Sequence, residues 1–164
     1  MEKCYGAEER RDQLIVLGTG QCVLIYGHGE EDGQGFDYRH RFDHRPTASE
    51  VLKVITDHVD SLTDQKILTG YRWQGKNVYL SSENQFNFKA AYDVAVQTEG
   101  AQLPIKFKLG EDAEGLPMYH TFNSMNAFTD FYTGAISFIQ QTLAAGWEEK
   151  DAARDWVNQL YNNE

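Results

Sequence analysis

The chain has 164 residues, 41% of them hydrophobic and 13% aromatic, enough for one core of ordinary size and too few for two. A formal net charge of -10 and a pI near 4.9 speak against a nucleic-acid backbone as partner, because phosphate binding depends on cations that displace counterions. No apolar run approaches the roughly 20 residues of a membrane-spanning helix. Cys4 and Cys22 lack CxxC spacing, which argues against a zinc site or a disulfide framework and for two reduced thiols, Cys22 within a strand.

The first residues, MEKCYGAEERRD, are too charged for the apolar core of a signal peptide, so synthesis and residence in a cytoplasm are expected, with residues 1 to 12 as a frayed terminus or a short arm that orders on a partner. Gln13 to Leu17 and Gln21 to Tyr26 read as two nearly continuously buried strands of a tight hairpin about Gly18-Thr19-Gly20. Gly27 to Gly35 has no apolar residue and reads as a mobile loop. Phe36, Tyr38, His40 and Phe42 then alternate with Asp37, Arg39 and Arg41, the period of a half-exposed strand. Thr47-Ala48-Ser49-Glu50 has the form of a capping box, and Val51, Leu52, Ile55, Val59 and Leu62 give a helix over about 48 to 63.

The clearest stretch is Trp73 to Gln97. Tyr71 and Trp73 lead into a tight turn at Gln74-Gly75, Val78 to Leu80 return, and Ser82 with Gln85 forms a second capping-box pattern. Phe86, Ala90 and Val94, with Ala91 and Ala95 alongside, make the expected buried stripe, and Gly100 ends the helix in the left-handed cap conformation. Leu103, Ile105, Phe107 and Leu109 predict a strand paired with Met118 to Phe122. Asn123 or Ser124 caps an aromatic helix that Gly146 should stop, and Trp147, Ala152, Trp156 and Leu160 mark a short last helix. The fold class expected is α+β, antiparallel hairpins followed by helices in ββα units packed as one domain. Residues 1–45 form a variable strand and hairpin region continuous with a body over 46–164. Two ββα units at an offset of 40 align Tyr79 with Tyr119, Phe88 with Phe128 and Tyr92 with Tyr132, the pattern of an internal repeat.

Searches for chemistry end in ordinary readings. His40 and His44 with Asp43 sit on an arginine-rich strand, where HxxxH does not bring two rings together as it does on a helix. Gly27, Gly29 and Gly33 are off-pattern for a phosphate loop, and Glu30, Glu31 and Asp32 repel phosphate. Glu111, Asp112 and Glu114 lack EF-hand spacing and read as solvated turn acids. No nucleophile motif is present in the sequence, so no catalytic residue, metal ligand or cofactor is assigned and no enzyme is expected. Aromatic anchors and exposed cations select Tyr38, Arg39, Arg41, Tyr71, Trp73, Tyr79 and Tyr119 as interface candidates.

Three segments, WQGKNVYLSSENQFNFKAAYDVAV, LPIKFKLGEDAEGLPMYHTF and FTDFYTGAISFIQQTLAAGWEEKDA, resemble a group of bacteriophage and prophage tail-associated proteins that carry a domain of unknown function, those of phages of Bacteroides-type hosts among them. The likeness covers roughly Pro46 to Leu160 and the first 45 residues depart from it; its motifs hold no catalytic residue to transfer. It implies a virion structural or assembly protein, tail or fibre associated, made in the host cytoplasm and then carried in the virion. Its partners would be other phage proteins, in a homo-oligomer or hetero-complex, with neither nucleic acid nor membrane. An alternative from a different class is an acidic phage-encoded antagonist of a host defence or nucleic-acid enzyme, imitating a polyanion with carboxylates on one face.

Overall fold

A computed structural model describes residues 1–6, 11–18 and 20–162. The fold is α+β: among the described residues there are antiparallel sheets and three helices. The chain divides into two compact units, Met1–Asp60 with Trp147–Glu164, and Ser61–Gly146, each with its own cluster of buried residues where a single core was expected. Residues 1–45 lie wholly in the first.

In the first unit β1 (Glu2–Tyr5), β2 (Gln13–Val16), β3 (Cys22–Glu31) and β4 (Gln34–Phe42) form one sheet of order β1-β4-β3-β2. Residues 1–12 are therefore not simply an arm, since Glu2–Tyr5 pairs with Phe36 to Arg39; the rest of that expectation falls in part on residues 7–10, outside the described residues. The hairpin of β2 and β3 pairs as expected, but Ile15 and Val16 of β2 are exposed where a buried strand was expected, and Thr19 of its turn is also outside the described residues. The expected loop at Gly27 to Gly35 is instead the tip of a long hairpin. Glu31 pairs with Gln34, and the two residues between them, Asp32 and Gly33, have φ of 50° and 77°, the paired positive values of a two-residue turn whose twist suits the strands. Polar composition hid a strand whose backbone bonds, not apolar side chains, hold it.

One face of this sheet carries Cys22, Leu24, Tyr26 and Phe42. They pack with Val51, Ile55 and Val59 of α1 (Ala48–Gly70) and with Ala153 and Val157 of α3 (Met125–Asn162). Helix α1 starts on a reciprocal box: Glu50 N donates to Thr47 Oγ1 at 3.3 Å, and Thr47 N donates to Glu50 Oε2 at 2.8 Å. It runs on to Gly70, past the expected end near 63. On β4 the expected alternation of wet and dry positions fails at Asp37, which is 2% exposed and held by Arg39 through Nε (2.7 Å) and Nη2 (3.0 Å). A buried carboxylate requires such a partner.

In the second unit β5 (Tyr71–Trp73) and β6 (Lys76–Val78) pair, as do β7 (Ile105–Glu111) and β8 (Pro117–Phe122), and Tyr79 N bonds Leu109 O at 2.7 Å between the two hairpins. Each hairpin precedes a helix, α2 (Ser82–Gln97) after β6 and α3 after β8. The core is aromatic: Phe122, Phe128 and Phe131 are fully buried, with ring centroids 4.9–5.0 Å from Phe122 to the other two.

Three expectations need correction here. The cap of α2 is Ser81, whose side chain accepts from Asn84 N, one residue before the Ser82 pattern. The buried stripe is Phe88 and Ala95 with Ala91 and Tyr92 beside them, while Phe86 is 71% exposed and Ala90 is exposed. Both stripes have helical spacing, and the one with two large rings removes more apolar area from water. Gly146 does not stop α3. A Cβ there would meet Thr63 Oγ1 at 2.6 Å, so this glycine serves a close approach of helices and α3 continues to Asn162. At the end of α2, Glu99 (φ 52°) occupies the left-handed position just past the cap and Gly100 N bonds Ala95 O, the bonding of a Schellman motif.

Candidate functional site

The interface candidates scatter. Tyr38 lies on the helix-covered side of its sheet, its ring centroid 4.2 Å from that of His58, whereas Arg39 and Arg41 alternate to the other side and Arg39 is engaged by Asp37. These three therefore do not make one strip. Tyr71 and Trp73, both 9% exposed, are core residues rather than anchors for a partner: Tyr71 Oη donates to Phe131 O at 3.2 Å and Trp73 packs edge-on against Phe131. Tyr79 and Tyr119, at 44% and 50% exposed, remain at the surface.

Strand period explains that split. Alternation along β6, β7 and β8 sends Val78, Phe107, Leu109 and Phe122 to the core and leaves Asn77, Tyr79, Lys106, Lys108, Tyr119 and Thr121 on the solvent side. Lys108 pairs with Tyr119 across the ladder, and Lys106 Nζ stands 4.4 Å from the Tyr119 ring centroid, in cation–π range. Lys76 Nζ reaches Tyr119 O at 3.3 Å. One lysine thus stands over the half-exposed ring, with Lys76 on its backbone carbonyl and Lys108 opposite it in the ladder, on a chain of net charge -10.

Beside Tyr79 a cleft of about 590 Å³ opens between the β6 end, the start of α2 and the β7 bulge, where the register with β8 shifts between Lys108 and Gly110. Asn84 closes one wall, its Nδ2 donating to Tyr79 O at 2.7 Å. Lys108 and Glu111 neutralise each other at 2.8 Å, which raises the lysine's pKa above its usual value, the hydrogen bond to Glu111 being the largest cause. The side chains of Asn77, Tyr79 and Glu83 have no partner among the described residues. Ser81 and Asn84 went unnoticed in the sequence because polar residues at a helix start look like capping alone, and Asn77 because it lies on a short polar strand; the available signal was the solvent-side position of Tyr79 next to them.

The chemical suspects are placed as follows. His40 packs against Phe42 at 4.7 Å and burial lowers its pKa, while His44 Nε2 lies 3.1 Å from Glu50 at the α1 start, so the two histidines serve different neighbours. Asp112 Oδ1 accepts from Glu114 N and Leu116 N at 3.0 and 2.8 Å, which commits it to its own turn. Among the described residues no group of three or more His, Cys, Asp or Glu side chains is arranged to hold a metal ion. Among the described residues, no helix is long and apolar enough to cross a membrane. No family model matches the chain, and no curated protein or solved structure is significantly similar to it.

Proposed function

We propose that this chain is a protein-binding module of a bacteriophage particle or its assembly, tail associated, which engages an acidic surface of a neighbouring subunit through the solvent side of β7 and β8. The observation that carries this reading is the half-exposed Tyr119 ring among Lys76, Lys106 and Lys108. A tyrosine of this kind offers a large rigid contact at small entropic cost, and Lys76 and Lys106 supply charge that an acidic partner complements, Lys108 being paired with Glu111. The phage setting rests on the resemblance of the three segments between Trp73 and Ala152, and the lysine-bearing face gives such a protein a surface to assemble with.

The test is mass spectrometry of gradient-banded particles beside the infected-cell lysate, with lysine-to-carboxylate cross-linking. Stoichiometric presence in particles and cross-links from Lys106 or Lys108 to another subunit are expected, and both are lost in a Lys106→Glu, Tyr119→Ala variant. A chain abundant in the lysate, absent from particles and without cross-links sinks the proposal.

A further inference from the structure

The cleft beside Tyr79 is distinct from the Tyr119 face in what its lining offers. Its charged residues are Glu83, Lys108 and Glu111, of which the last two already pair at 2.8 Å, leaving a single uncompensated carboxylate. Phosphates and carboxylates are therefore repelled, and a cation would meet one exposed acid without the clustered oxygens it needs. The strand edge is also taken, because Tyr79 N is bonded to Leu109 O, so an extended peptide cannot add to the sheet at this point. What remains available is the Asn77 carboxamide, a donor and an acceptor together, the Ser81 hydroxyl hydrogen, the Oδ1 of Asn84 and the ring of Tyr79.

We infer that this cleft binds a neutral, hydroxyl-rich ligand, a saccharide, laid against the Tyr79 ring. A pyranose presents an apolar face of C–H groups to an aromatic ring and a rim of hydroxyls that both donate and accept. The cleft has that same division, one ring and a surround of amide and hydroxyl groups. Ser81 and Asn84 are already fixed by the α2 cap, and Asn84 by its bond to Tyr79 O, so part of the polar rim is held in place before any ligand arrives.

The experiment is saturation-transfer NMR on the intact chain with maltotriose, cellotriose, chitotriose and mannotriose at millimolar concentration. At least one gives saturable transfer. Tyr79→Ala weakens it about tenfold or more, as loss of an aromatic anchor does, Tyr79→Phe retains most of it, and Asn77→Ala, at an exposed position, reduces it with an unchanged melting temperature. Lys106→Glu, away from the cleft, leaves it within about twofold, a change below the 1.4 kcal/mol of a decade. Failure of all four sugars to bind, or binding indifferent to Tyr79→Ala, overturns the inference, as does a competing acidic peptide held at Tyr79. Because the particle test turns on Tyr119 and Lys106, and this one on Tyr79 and Asn77, either proposal can fall without the other.

Discussion

Tyr71 of β5 and Gly134 of α3 meet in the core of the second unit. A Cβ at position 134 would stand 2.6 Å from the Tyr71 hydroxyl, which is buried and bonded to Phe131 O. Gly134→Ala raises helix propensity by about 1 kcal/mol, yet the expected result is a net loss of about 1–3 kcal/mol, because a packed core resists an added methyl. Urea denaturation measures it, and pairing the change with Tyr71→Phe should return part of the loss by removing the clashing oxygen. In the other unit Tyr26 is 6% exposed, and burial above all, then Glu149 and Asp12, raises its pKa from 10.0 to about 12. Its neutral form is favoured on folding, so this contribution is complete below pH 10 and is lost as pH rises from 10 to 12, by about 2–3 kcal/mol in all. Denaturation at pH 9, 10, 11 and 12 should show that slope, and Tyr26→Phe should reduce it, the remainder coming from Tyr71, whose pKa burial also raises, and from Lys3, Lys89 and Lys108, whose bonds to carboxylates raise theirs.

Among the elements, α2 offers a direct discrimination between adjacent serines. Ser81→Ala removes the acceptor for Asn84 N and should cost about 1 kcal/mol, whereas Ser82→Ala, exposed and one residue inside the helix, should be nearly silent; thermal melts of the two variants decide it. That pair also shows what was legible beforehand. The helix, its turn residues and the strand alternation at Ile105, Phe107 and Leu109 follow from local spacing, which a sequence displays. Which of two serines caps, and whether Phe86 or Phe88 faces inward, depends on partners distant in sequence such as Phe107 and Phe131. Gly146 was misread for the same reason: a glycine that ends a helix and one that admits a neighbouring Thr63 look alike until the neighbour is known. For the cleft, Tyr79 was identifiable as a candidate and Asn77, Ser81 and Asn84 are its near neighbours in the chain, while Lys108, Gly110 and Glu111 join it only through the approach of β7.

At the scale of the molecule, charge sets behaviour in solution. A net charge of -10 at pH 7 falls to zero near pH 4.9, where mutual repulsion between copies vanishes. Turbidity should peak near that pH and clear on return to neutrality; a clear solution throughout would show that specific surface features, not net charge, govern association. The two cysteines have a further use. Cys22 is fully buried in the first unit's core while Cys4 on β1 is partly exposed. A maleimide dye should therefore attach once in the native protein and twice in denaturant. Without any engineering, the chain carries a single attachment point for a fluorophore or spin label at the sheet's edge, a reporter well suited to following its capture by larger assemblies.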